Sequence, residues 1–145
     1  MESAIEEAEN ARRLDEVPVG CVILDPDERI VARKHDLHRE LADPLAHAEW
    51  LALRDAASGL GDWRLDGFTL VVTLEPCPMC AGAILMSRIS RVIFGAASPK
   101  WGAAGTRADW LASGVFPHRP EVIGGIQAED CGKLLSDYFR EHRKG

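Results

Sequence analysis

The stretch from Phe68 to Phe94, FTLVVTLEPCPMCAGAILMSRISRVIF, decides the fold. Phe68 to Leu74 is an apolar, β-branched run and reads as a buried strand. Pro76 and Pro78 break it. A short apolar helix follows to about Ser87, and Arg91 to Phe94 is a second strand. A strand, a crossover helix and a strand form a unit whose two strands run parallel.

Working outward, residues 3–14 read as an amphipathic helix, because Ile5, Ala8, Ala11 and Leu14 recur at helical spacing among charges. Val17 to Leu24 is apolar and β-branched. Asp25-Pro26-Asp27-Glu28 is a turn signal and Arg29 to Arg33 alternates, so this is a hairpin. Residues 36–45 read as a loop. Pro44 precedes a helix from about Ala46 to Ser58, which Gly59 and Gly61 end. On the other side, 95–107 reads as a structured loop. Glu121 to Ile123 is a short strand, and 128–143 a closing helix with Leu134, Leu135, Tyr138 and Phe139 turned inward. After the opening hairpin, strands and helices alternate. That order predicts an α/β protein with parallel strands and helices on both faces of the sheet.

A chain of 145 residues suits one domain, expected over 1–145, with a full core. Hydrophobic residues at 46% and charged residues at 28% exclude disordered and collagen-like classes. Seventeen Lys and Arg against 23 Asp and Glu give −6, which excludes nucleic-acid binding by bulk positive charge but not by a local patch. The N-terminal residues carry no secretory signal pattern, and no apolar run is long enough to span a bilayer. The expectation is a cytoplasmic protein. Four cysteines are too few for a disulfide scaffold, and Cys77 with Cys80 suits a metal or redox pair.

Two segments carry the chemistry: His47-Ala48-Glu49 and Pro76-Cys77-Pro78-Met79-Cys80. Cys77 and Cys80, three apart in a first helical turn, point their sulfurs the same way. Pro78 suits that turn, where its missing N–H is no loss. The positive helix end favours thiolates. With His47 near another helix start, there are three ligands and one open tetrahedral position, the pattern of a catalytic zinc site. Glu49 lies two residues from His47, roughly 200° around a helix, so it does not share the ion. It is better cast as a proton carrier. Zinc makes hydroxide available at neutral pH, and a mobile proton beside it suits hydrolysis of an amino group on an electron-poor ring. His-x-Glu with Pro-Cys-x-x-Cys is the signature of zinc deaminases. Two other readings exist. A structural zinc would need a fourth ligand from Cys21, Cys131, His35 or His38. A redox pair would leave His47 and Glu49 unexplained.

At these residues the sequence resembles the bacterial tRNA adenosine deaminases of the cytidine/deoxycytidylate deaminase superfamily. The resemblance takes in Val17-Pro18-Val19-Gly20, Asp43-Pro44 before Ala46-His47-Ala48-Glu49, and Leu51-Ala52-Leu53-Arg54. It continues through Val72 to Cys77, Met79 to Ala83, Phe94-Gly95-Ala96, Gly102 to Gly105 and Leu134 to Asp137. It implies a three-layer α/β/α fold with a five-stranded mixed sheet, a homodimer, and one zinc per subunit held by His47, Cys77 and Cys80, with Glu49 as the proton shuttle.

The sequence departs from that family at substrate-facing positions. Asp36 stands where the resemblance implies a nucleoside-binding Asn, Leu45 where it implies Thr, and Ser98 where it implies an acid that meets ribose. Trp101 and Cys21 replace smaller residues. An ionised Asp36 offers only acceptors, whereas Asn offers both donor and acceptor. Together with the acidic balance, these changes predict a deaminase retuned to a small free nucleobase or amino-heterocycle. Asp36, Ser98, Trp101, Cys21 and Pro76 would contact it, and that substrate is expected in preference to tRNA. The alternatives are tRNA wobble adenosine deamination and a non-catalytic, zinc-containing partner subunit. Blander readings stand beside these. Trp101 then packs a dimer interface, Asp36 forms a surface turn, and Cys21 and Cys131 pack as small apolar residues. Trp50, Trp63 and Trp110 become core or interface anchors. Arg140, His142, Arg143 and Lys144 become a solvated helix end that balances the helix dipole.

Overall fold

The computed structural model describes residues 1–142. In chain order the elements are α1 (Glu2–Arg13), β1 (Gly20–Leu24), β2 (Ile30–His35), α2 (His38–Leu41) and α3 (Ala48–Leu60). They continue with β3 (Thr69–Leu74), α4 (Pro78–Met86), β4 (Arg91–Ala96), β5 (Glu121–Ile123) and α5 (Ala128–His142). The sheet has five strands in the order β2-β1-β3-β4-β5. β1 pairs antiparallel with β2 and β3, while β3, β4 and β5 run parallel. The expected mixed sheet and the β3–α4–β4 crossover are both present.

Strand periodicity sorts the side chains into two layers. Cys21, Ile23, Leu70, Val72, Val92 and Phe94 pack with Ala48, Ala52 and Leu53 of α3 and Ala81, Ile84 and Leu85 of α4. Their alternates Val22, Val71 and Ile93 face α1 with Ala4. α1 presents Ala4, Ala8 and Ala11 as a fully buried stripe of small side chains. The helix therefore lies directly on β1. A Cβ at Gly20 would stand 2.0 Å from the Ala4 carbonyl oxygen. α5 joins α1 on that face, its Cys131 against Gly95. The result is an α/β/α sandwich.

Three local differences from the sequence reading have physical causes. Residues 38–41 form a helical turn rather than a loop, because the buried Glu16 carboxylate accepts the Arg39 and Glu40 N–H groups at 3.0 and 2.8 Å. Helix α3 starts at Ala48, since His47 is extended at its N-cap position. On α5, Cys131 and Tyr138 are buried, but Phe139 is 48% exposed and Leu134 and Leu135 are only half-buried. Cys131, Leu135 and Tyr138 share one face at helical spacing, and Leu134 and Phe139 are rotated off it.

At the end of α5, Arg140 pairs with Asp137 and His142 with Asp15, which supports the solvated-end reading. Arg143 and Lys144 lie outside the described residues. Among the described residues, no helix is long and apolar enough to cross a membrane.

Candidate active site

The site forms where two helices begin. His47 is the N-cap of α3 and Cys77 the N-cap of α4, with Pro78 opening that helix and Cys80 in its first turn. β3 delivers Cys77 three residues after its last strand residue, Leu74, so the site sits at the carboxyl end of the parallel strands. Both helix N-termini place positive dipole ends there, which favours anionic sulfur.

His47 Nδ1 lies 3.6 Å from Cys77 Sγ and 3.6 Å from Cys80 Sγ. One donor atom from each residue falls within 4.8 Å of the other two. Donors at tetrahedral angles on zinc, with Zn–S about 2.3 Å and Zn–N about 2.0 Å, stand about 3.5 Å apart. The observed nitrogen–sulfur spacing fits that requirement. Among the described residues the cluster has no fourth donor, so Cys21, Cys131, His35 and His38 do not close it.

Without a metal, the cluster shares its protons unevenly. A hydrogen bond from Cys80 and the neighbouring His47 lower the Cys77 thiol to about 4 against the effect of burial. The Cys77 hydrogen bond raises His47 to about 9. Cys80 is held as a thiol by its bond to Cys77 and by burial. A metal ion there would displace the protons of His47 and Cys80, because histidine and cysteine ligate in their deprotonated forms.

The cluster opens into a cavity of about 620 Å³ whose lining includes Val19, Asp36, His38, Leu45, Glu49 and Ser98. Glu49 lies in the first turn of α3, 4% exposed, outside the donor cluster. Burial raises its carboxyl from 4.5 to about 7. A group with that pKa both takes and gives protons at neutral pH.

Asp36 also lines the cavity, but not as a free acceptor. Its Oδ1 accepts the Ala48 N–H at 2.7 Å, the first backbone donor of α3. Burial and the charge of Glu49 push its carboxyl well above the usual range. One carboxylate oxygen is thus committed to the start of α3 rather than presented to a substrate. The argument that Asp36 offers free acceptors to a changed substrate therefore fails on this bond.

Ser98 lines the cavity with its backbone N–H given to Glu75 and its Oγ accepting the Trp101 N–H at 3.4 Å. Trp101 is at the rim, 65% exposed. The two remaining substrate-contact expectations are corrected. Cys21 is fully buried in the sheet core. The Pro76 ring is buried and is not part of the cavity wall; its carbonyl instead accepts the Ala103 N–H at 2.9 Å.

Two contributors were not assigned roles in the pocket from sequence. His38 lines the cavity, its ring edge-on to His47 at 4.8 Å and its Nδ1 3.8 Å from Asp36 Oδ2. Glu75 gathers hydrogen bonds from Ser98, Ala104 and Thr106. For Glu75, a lone acid between an apolar strand and a proline was the available signal.

The comparisons agree with this site. A family model for the cytidine and deoxycytidylate deaminase zinc-binding region matches residues 1–96. The chain is 49% identical over 144 residues to a tRNA-specific adenosine deaminase of Bacillus subtilis, covering 99% of this chain and 89% of that protein. It is 44% identical to one of Haemophilus influenzae, covering 99% and 83%. Among solved structures it is similar to a tRNA:A34 deaminase studied for A-to-I editing at the wobble position. That match has a TM-score of 0.89 and 42% identity, over 93% of this chain and 97% of that one. These relatives overturn the expectation of a small free nucleobase as substrate and of a small amino-heterocycle in preference to tRNA.

Proposed function

The chain belongs to the cytidine and deoxycytidylate deaminase family, in its tRNA adenosine deaminase-like branch, and from that premise we propose that it converts the wobble adenosine of a transfer RNA to inosine. It is a zinc-dependent deaminase that hydrolyses a C–N bond, which sets aside the non-catalytic subunit. The observation that carries the substrate is the similarity to tRNA-specific adenosine deaminases along 99% of the chain. The shape of the cavity supports it. Leu45 and Trp101 line it at 46% and 65% exposure, so the mouth is open where a free base would be better enclosed. An exposed tryptophan there suits the base-stacking that holds single-stranded nucleic acid.

His47, Cys77 and Cys80 would hold the zinc, whose Lewis acidity makes hydroxide available from water near neutral pH. Glu49 does the proton work. Its carboxylate takes a proton from the attacking water as oxygen bonds to C6 of adenine, and delivers it to N1. A proton then passes through Glu49 to the exocyclic nitrogen, the C6–N bond breaks, and ammonia leaves as C6 becomes a carbonyl. Asp36 holds the start of α3, and so His47 and Glu49, through Ala48. Water plus adenosine gives inosine plus ammonia, with no net proton change on the protein.

The chain acts as a single domain in the cytoplasm and pairs as a homodimer. The apolar groove of about 590 Å³ lined by Trp50, Leu53, Trp63 and Met86 supports a subunit contact there. The test is inosine formation on an anticodon stem–loop bearing adenosine 34, beside free adenine, guanine and cytosine. Inosine in the stem–loop supports the proposal. Ammonia from a free base with none from the RNA refutes it.

A further inference from the structure

We propose that Glu75 is a positioning residue: one carboxylate holds the 98–106 loop in place and through it sets Ser98 and Trp101 as the substrate-facing wall. Glu75 follows β3 directly and is two residues before Cys77. Its Oε1 accepts the Ser98 N–H at 3.1 Å and the Thr106 hydroxyl. Its Oε2 accepts the N–H groups of Ala104 at 2.9 Å and Thr106 at 3.1 Å.

These donors lie outside the helices and the five-stranded sheet, so their shared acceptor is this side chain. The loop closes around it. Gly102 donates to the Ser98 carbonyl at 3.0 Å, and Ala103 to that of Pro76 at 2.9 Å. A Cβ at Gly102 would stand 2.5 Å from the Glu75 carboxylate, so only glycine permits this wrapping.

Ser98 and Trp101 line the cavity that holds His47 and Glu49. Glu75 itself is not among the three clustered donors. Its loss therefore moves the wall and leaves the proton carrier and the donors where they are. Hydrogen bonds to a charged acceptor are among the strong ones, and several converge here.

The kinetic arm rests on the tRNA reading and uses the zinc-loaded enzyme on an adenosine-34 stem–loop. Glu75→Gln, an isostere that turns N–H donors against donors, should raise KM roughly tenfold with kcat within about twofold and full zinc content. Thr106→Val, away from the zinc ligands, should raise KM by a smaller factor in the same pattern, and it keeps the test open if Glu75→Gln does not fold. Zinc loss, a fall in kcat at constant KM, or no change in either constant overturns the proposal.

The second arm needs no substrate. In Glu75→Gln the amides of Ser98, Ala104 and Thr106 should exchange hydrogen faster, while those of α3 and α4 keep their wild-type rates. Unchanged exchange at those three amides overturns the proposal. If the wild type leaves the RNA untouched while exchange behaves as expected, the substrate assignment fails and the brace stands.

Discussion

Replacing Glu49 by Gln should have two opposite effects. The side chain keeps its size, so packing is preserved. It loses the ability to move a proton, and general acid–base catalysis is typically worth about 10²- to 10⁴-fold, so turnover on the adenosine-34 stem–loop should fall by that factor. Stability should move the other way in zinc-stripped protein. Burial raises the Glu49 carboxyl from 4.5 to about 7. Between those values the folded protein keeps the proton and the unfolded chain releases it. Stability therefore falls as pH rises through this window and is lowest above it. At about 1.4 kcal/mol per unit, the wild type gives up about 3 kcal/mol by pH 8. Gln has no such slope. Unfolding of a chain this long carries an entropy near 0.3 kcal/mol per kelvin, so Tm should rise by about 10 °C at pH 8 and by little at pH 4. Calorimetry at both pH values, beside inosine quantification, checks both signs. Preserved turnover, or a Tm that falls at pH 8, would refute the assignment of Glu49 as a buried proton carrier.

Three other outcomes are expected. Asp36→Ala removes the acceptor from the first N–H of α3 and should lower stability by about 1–2 kcal/mol, whereas Asp36→Asn keeps that bond and should cost far less; urea unfolding of both separates them. Gly20→Ala puts a Cβ 2.0 Å from the Ala4 carbonyl oxygen, forcing α1 off β1, and should cost about 3 kcal/mol or more by the same measurement. Dialysis against a chelator should abolish turnover and lower Tm, and stoichiometric zinc should restore both, because His47, Cys77 and Cys80 then recover their shared cation.

Much of the site was legible along the chain because its chemistry is local. Cys77 and Cys80 share one helical turn, Pro78 marks the start of that turn, and His47 with Glu49 straddles another helix start. The expected split between His47 as a ligand and Glu49 as a proton carrier rests on a two-residue spacing around a helix, but the structure leaves His47 extended before α3 and puts Glu49 in its first turn. The substrate was not legible in this way. Counting from His47 brings Asp36 near the pocket, and it lines the cavity, but the sequence does not show that its carboxylate is buried and bonded to the Ala48 N–H. For Cys21 the family resemblance implies a pocket position, but strand alternation turns it into the sheet core, as its plainer reading as a small packing residue has it.

The sequence by itself determined the main strands and helices, the parallel β3–α4–β4 unit and the zinc donors, since His47-Ala48-Glu49 and Pro76-Cys77-Pro78-Met79-Cys80 each carry a local signature at a helix start, although the two segments lie 30 residues apart. Only the tertiary structure decided how buried carboxylates are used. Glu16 builds α2 from 23 and 24 residues away, Asp36 holds α3 from 12 away, and Glu75 gathers a loop 23 to 31 residues downstream. A carboxylate's role depends on which N–H groups the fold brings within about 3 Å and on how much water it removes, and neither is written in local pattern.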